Sequence, residues 1–209
     1  MGISRLKILP SNYSGLFQAD SWKYKLPWIL MLAAVSLMAI IRDAEGGIWW
    51  CKWDSPIYIW SSDIWSKHNS QHLFDPYAFT HVLHGFIFYW LARLIFRKRI
   101  SFAWTLFAAV LGESIWELIE NSRYVIELYR ANTASLEYFG DSIANSIGDV
   151  IACFTGFYVA YRMQVWRSII VFFLIEIILV LTIKDSLLIN IIMLIHPIEA
   201  IKTWQMGGG

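Results

Sequence analysis

The feature that most restricts this chain is a series of five apolar stretches, at residues 26–41, 77–96, 102–121, 143–161 and 165–183, each bounded by polar or charged residues. A helix needs roughly 20 mostly apolar residues to cross the hydrocarbon core of a bilayer. Lipid offers no partner to backbone N–H and C=O groups, so such stretches must be helical. The expected fold class is therefore all-α: a polytopic membrane helix bundle of about five transmembrane helices. The first stretch is short, and Lys23 and Lys25 can snorkel to lengthen it. Composition agrees, with 57% hydrophobic and 16% charged residues, against about half and a quarter in soluble domains. A net charge of +1 gives no basic face for a nucleic acid, so none is expected as partner.

Between the spans the sequence reads as one domain over residues 1–209, with no repeat and no low-complexity linker. Residues 1–25 form a polar lead. Residues 42–76 form a loop carrying Trp49, Trp50, Trp53, Trp60 and Trp65, expected to lie on the bilayer surface. Residues 122–141 are polar and partly helical. The tail, 187–209, is apolar but interrupted by Asn190, His196 and Pro197. It reads as an interfacial or re-entrant helix with a flexible end at Gly207–Gly209. No A-x-A cleavage site follows the first span, which reads as an uncleaved anchor. Lys and Arg counts place the N-terminus in the cytoplasm, with ten on the inside segments against seven outside, the densest group being Arg97-Lys98-Arg99. The expected location is the bacterial inner (plasma) membrane, with lipids and other membrane proteins as partners. Cys51 sits in the loop and Cys153 in a span, so no disulfide is expected, and no CxxC spacing occurs.

Ionisable residues inside spans are costly and usually face a bundle interior. Here they gather towards one membrane face. His81 and His84 are three apart on the second span and share a helix face. Glu113, Glu117 and Glu120, followed by Asn121, line a face of the third. Asp141, Asn145 and Asp149 follow at intervals of four at the start of the fourth. At about 1.5 Å per residue, His81, His84, Glu113, Glu117 and Asp149 lie roughly 6–12 Å below the outer ends of their spans. Two imidazoles and several carboxylates suit a divalent ion such as Zn, Mn or Fe. Such an ion offsets carboxylate repulsion and can activate water. The expected ligands are His81, His84, Glu117 and Asp149. Glu113 or Glu120 is the expected general base. Asn121, Asp141 and Asn145 are expected to orient the ligands. The competing reading is a hydrogen-bonding network that only holds helices together.

Other polar residues carry plainer expectations. His72 either caps the site or sits at headgroup level, the second being favoured. Glu176 reads as a structural glutamate near mid-depth. Asp185 and Asn190 link the last elements, and His196-Pro197 marks a kink. Asp43 and Glu45 read as interface charges. Arg123 and Arg130 pair with Glu127 or Glu137, or bind an anionic headgroup.

Several segments resemble an uncharacterised family of bacterial integral membrane proteins. They are Asn69-Ser70-Gln71-His72, Thr80-His81-Val82-Leu83-His84-Gly85-Phe86, Trp116-Glu117-Leu118-Ile119-Glu120-Asn121-Ser122, Tyr138-Phe139-Gly140-Asp141-Ser142-Ile143-Ala144-Asn145-Ser146 and Asn190-Ile191-Ile192-Met193-Leu194-Ile195-His196-Pro197. The resemblance covers about residues 45–205 and implies a membrane protein without an assigned activity. The family pattern implies a second cysteine shortly after Cys51, where this chain has Trp53. A looser likeness, at scattered positions, is to VanZ-like membrane proteins.

Together these readings lead to a metal-dependent, membrane-embedded hydrolase or transferase acting on a lipid or lipid-linked group at the outer leaflet. The alternatives are a non-catalytic accessory subunit of a larger membrane complex and an ion or proton transporter. The second needs a polar path to the inner face, which only Glu176 and Glu113 approach.

Overall fold

The computed structural model describes residues 21–207, apart from 54, 55, 57, 98 and 137. The lead over 1–20, Glu137 and the last two glycines lie outside the described residues. Eight helices occur in the described residues, with no strand beyond an isolated bridge between Trp60 and Phe74. They are α1 (Ser21–Ala44), α2 (Ala78–Phe96), α3 (Phe102–Glu120), α4 (Arg123–Asn132), α5 (Ile143–Arg162), α6 (Val165–Ile183), α7 (Leu187–Ile195) and α8 (Glu199–Gln205). Five of them, α1, α2, α3, α5 and α6, are long and apolar enough to cross a membrane. This is a multi-pass helical architecture.

Two boundaries differ from the sequence reading. First, α1 runs beyond the apolar stretch at both ends, from Ser21 to Ala44. Its last turn is therefore helical and carries Arg42 into the protein. Second, the tail is two short helices rather than one. Pro197 has no N–H to continue α7, and the chain restarts at Glu199 after a break at His196. At nine residues, α7 is only about 13 Å long and cannot span.

The closest helix pair is α2 with α5, which run in the same direction. At Gly85 of α2, a Cβ would fall on the carbonyl oxygen of Cys153, and at Gly156 of α5 one would fall on that of Val82. Small residues let two backbones approach, as is common within membranes. One helical turn towards the loop end from Gly85 is His81, and one turn from Cys153 is Asp149. The glycine contact thus sets these two side chains side by side. On the far side of the bundle, α1 packs against α3 and α5.

The ends of the spans at residues 44, 78, 120, 143 and 183 meet the long loop, α4, α7 and α8. The loop is built into this end. Ser70, Ile48 and Trp49 give carbonyl oxygens to the first free N–H groups of α5, at Ser142 (2.9 Å), Ile143 (2.8 Å) and Ala144 (3.2 Å). These would otherwise be unpaired donors. A Cβ at Gly148 would strike the Leu73 carbonyl, so the loop lies directly on the α5 backbone. Trp49, Trp53, Trp60 and Trp65 stay exposed.

The segment after α6 folds back into the bundle. Glu176, half-way along α6 and buried, accepts from the backbone N–H of Leu187 at 3.1 Å and Leu188 at 3.3 Å. A carboxylate suits a helix N-terminus, where donors are unpaired and the dipole is positive. It holds α7 at the depth of Glu176, about two turns below the end of α6. Lys202 of α8 donates to the Ala131 carbonyl of α4, tying the tail to the same end.

Candidate functional site

Glu113 is fully buried, and its Oε1 accepts from Nδ1 of His81 at 2.6 Å and Nδ1 of His84 at 3.0 Å. One carboxylate thus holds both imidazoles. His81 Nδ1 is also 3.4 Å from Glu117 Oε1, and His81 Nε2 is 3.9 Å from Asp149 Oδ2. His81 therefore joins α2 to both α3 and α5. Ligand-type atoms of His81, His84 and Glu113 lie within 4.8 Å of one another, as do those of His81, Glu117 and Glu120. His84 belongs to the first set and Glu117 to the second. Asp149 approaches from the opposite side of the His81 ring.

Glu117 is the unusual member. It is completely buried, and neither carboxylate oxygen has a hydrogen-bond donor. Glu120 accepts from the Tyr129 hydroxyl at 2.9 Å through Oε1, while Oε2 has no partner. Asp149 Oδ1 and Asn145 Nδ2 are likewise buried without partners. Burying an unpaired carboxylate is costly, so Glu117, Glu120 and Asp149 need a cation or a proton, while the Asn145 amide needs an acceptor.

A second knot closes the end of α3. The Asn121 side-chain oxygen Oδ1 accepts from the Asp141 N–H at 2.7 Å and from Arg42 at 3.0 Å. Its amide donates to Asp141 Oδ2 at 2.9 Å. Arg42 also donates to the Asp141 carbonyl at 2.8 Å, and the Tyr138 hydroxyl donates to Asp141 Oδ1 at 2.9 Å. Sequence reasoning placed Asn121 and Asp141 beside the site and left Arg42 in the loop. The guanidinium is buried because α1 continues past its apolar stretch. A basic residue in the first polar turn after a span was the available signal.

A cavity of about 200 Å³ opens between these groups. His81, His84, Glu120 and Asp149 line its polar side, and Trp116, Leu187, Ile191 and Leu194 its apolar side. Three of those apolar residues come from α7, so the tail is part of the site. The loop contributes Asn69 and Ser70. Tyr77, Tyr129, Tyr138 and Asp185, none of them singled out as site residues from the sequence, also line the cavity.

Groups outside the spans show how water exclusion shapes this end. Burial pushes Asp75 up to about 6 against the lowering effect of the Tyr77 and Ser70 N–H groups, which donate to it at 2.7 and 2.9 Å. Burial pushes Asp185 up to about 7, although the Ser186 N–H and the Tyr77 hydroxyl both donate to it. Burial, then the neighbouring carboxylates Glu120 and Asp141, hold the Tyr129 and Tyr138 phenols well above the ordinary 10. Both therefore stay donors.

His72 is not the surface residue that the sequence favours. It is buried, with Trp50 and Tyr58 packed edge-on against its ring at 5.8 and 5.2 Å. It does not line the cavity. Its ring is 5.5 Å from that of His68, whose Nδ1 is 3.3 Å from Cys51 Sγ. Arg123 pairs with Glu127 at 2.8 Å on the surface, and Arg130 donates to the Tyr138 carbonyl.

A family model described as a protein of unknown function, DUF2585, matches residues 43–207. A UPF0314 protein of Brucella anthropi is 40% identical over 197 residues, covering 93% of this chain and 99% of the relative. One from Paracoccus denitrificans is 40% identical over 177 residues, 85% and 88% of the two chains. One from Rhizobium meliloti is 38% identical over 191 residues, 91% and 96%. No solved structure matches. The matched region begins at the last turn of α1, next to Arg42, and takes in the loop, every side chain of the buried cluster and the α7–α8 tail; the chain belongs to the DUF2585 family of bacterial proteins of unknown function.

Proposed function

We propose that the protein is a metal-dependent, membrane-embedded hydrolase or transferase whose site acts on a lipid or lipid-linked group at the outer leaflet. The observation that carries this reading is Glu117, a fully buried carboxylate with no hydrogen-bond donor, next to His81. A divalent cation supplies the missing positive charge. Glu113 accepts the Nδ1–H hydrogen bonds of both histidines, leaving each Nε2 free to be a ligand. A carboxylate behind a metal-binding imidazole is the usual way to fix its tautomer and direction. His81 Nε2 and Asp149 Oδ2 are 3.9 Å apart. Both atoms would serve among the ligands of a divalent ion held between α2 and α5.

In this assignment Glu117 and Asp149 are ligands with the histidines, and Glu120 is the general base. Glu113 is enclosed by both imidazoles and has no route to substrate. Glu120 lines the cavity with a free Oε2 and a Tyr129 hydroxyl on Oε1. A bound ion would supply Lewis-acid chemistry, lowering the pKa of water towards neutrality. Glu120 would accept the proton of the attacking water as its oxygen adds to the acyl carbon or phosphorus. The bond to the leaving oxygen breaks, and Glu120 returns the proton to it. For a transferase an acceptor hydroxyl replaces water. The mixed cavity, carboxylates on one wall and Leu187, Ile191 and Leu194 on the other, supports a substrate with a polar group on an apolar chain.

The test is metal analysis of protein purified without chelators, comparing wild type with Glu117→Gln and His84→Ala. The expected result is a divalent ion that both substitutions remove from this site while the helical content is kept. Wild-type protein whose metal content is the same in both variants would overturn the reading.

A further inference from the structure

A second group of metal-ligating side chains lies in the loop, apart from the membrane-embedded cluster. Cys51, His68 and His72 each offer one donor atom, and the three atoms lie within 4.8 Å of one another. Cys51 Sγ and His68 Nδ1 are 3.3 Å apart. A sulfur at 2.3 Å and a nitrogen at 2.0 Å from one tetrahedral zinc stand about 3.5 Å apart, so these atoms are already near co-ligand spacing.

The independent observation is His72. Only 1% of its surface is exposed, and neither ring nitrogen has a hydrogen-bond partner among the described residues. Polar ring atoms removed from water without a partner are costly. Trp50 and Tyr58 pack edge-on against the ring, and the His68 ring lies 5.5 Å from it. A nitrogen of His72 lies within 4.8 Å of the ligand atoms of His68 and Cys51. A thiolate with two imidazoles suits Zn²⁺ by donor softness. Three protein donors leave one tetrahedral position for water.

We propose that Cys51, His68 and His72 form a zinc site that fastens the loop over the membrane-embedded cavity. Its consequence is positional. Asn69 and Ser70, between the two histidines, line that cavity. Ser70 has a φ of 57°, a left-handed backbone rare outside glycine, and its carbonyl accepts from Ser142 N–H at the start of α5. An ion gripping both flanks of this pair holds it in place. The assignment does not depend on the function proposed for the membrane cluster.

The experiment uses full-length protein in detergent, stripped with a chelator and titrated with Co²⁺. A thiolate ligand gives a sulfur-to-cobalt charge-transfer band in the near ultraviolet, which an all-His/carboxylate site cannot give. The expected result is a saturable band that is displaced by Zn²⁺, reaches its full height at one equivalent in Glu117→Gln, persists in Cys153→Ser, and is lost in Cys51→Ser and His72→Gln. Wild-type protein of normal helical content without the band would overturn the proposal. So would a band that survives Cys51→Ser or disappears in Cys153→Ser. Because Glu117→Gln spares this signal, failure here and failure of the membrane-site reading are separate outcomes.

Discussion

Glu113 Oε1 stands 2.6 Å from His81 Nδ1, and the same oxygen is 3.0 Å from Nδ1 of His84. One carboxylate on α3 thereby fixes the direction of two imidazoles on α2. Glu113→Gln keeps the shape but offers one acceptor oxygen and places an N–H₂ group against one of the two imidazoles. Carboxylates that support metal-bound histidines are worth about 10–100-fold in affinity. Calorimetric titration of stripped Glu113→Gln is expected to show zinc bound 10–100-fold more weakly at the membrane site, with helicity unchanged. Equal affinity would show that Glu113 does not support the ligands.

The close approach of α2 and α5 predicts a sharp contrast between two glycines. Gly85→Ala drives a Cβ into the Cys153 carbonyl, which is backbone and cannot yield. Overpacking of this kind costs about 1–3 kcal/mol or more, and separating the helices also moves His81 from Asp149. Gly112→Ala meets only the Phe88 ring at 3.5 Å, an ordinary contact, and removing a mid-helix glycine favours the helix by up to about 1 kcal/mol. Thermal unfolding in detergent is expected to fall for the first and hold or rise for the second.

Arg42 joins α1 to the end of α3 through Asn121 and to the approach to α5 through the Asp141 carbonyl, two residues before the helix. Arg42→Met removes both charged hydrogen bonds and leaves their acceptors buried. Hydrogen bonds to a charged group contribute about 1.5–3 kcal/mol, so a loss on that order is expected. It should appear as earlier unfolding and as faster proteolysis between α1 and the loop. Unchanged stability would show that α1 is held by its packing against α3 and α5 alone.

Asp185 has a pH signature. Burial holds it at about 7 in the folded protein against an ordinary 3.8. The folded state therefore keeps a proton that the unfolded chain has released. This contribution is complete below pH 3.8 and is lost as pH rises through about 7. Over that window it lowers stability by about 1.4 kcal/mol per pH unit. Asp185→Asn mimics the protonated group. Its stability relative to wild type is expected to improve from pH 5 to pH 7.5. A wild-type and mutant pair with parallel pH profiles would contradict the assignment.

Much of this was legible because hydropathy and helix periodicity are local. The spans follow from stretches of apolar residues, and the common depth of His81, Glu117 and Asp149 follows from connectivity. The break at His196-Pro197 follows from proline chemistry. Arg42 and His72 lie just beyond apolar stretches, where sequence alone favours water, yet both are buried: Arg42 by Asn121 and Asp141, far along the chain, and His72 by Trp50 and Tyr58 of its own loop. Glu176 was read as structural, but its partners, the first N–H groups of α7, depend on how the tail folds back.

The sequence by itself determined that this chain is a multi-pass helical bundle with ionisable groups at one end of its spans, because a bilayer leaves few ways to satisfy a backbone and each span must be written in contiguous residues. Only the tertiary structure decided which of those groups touch. The backbone contact at Gly85 and Cys153 sets His81 against Asp149, and the folded loop brings Cys51 to His68 and His72, since contacts between distant segments depend on packing that no local pattern encodes.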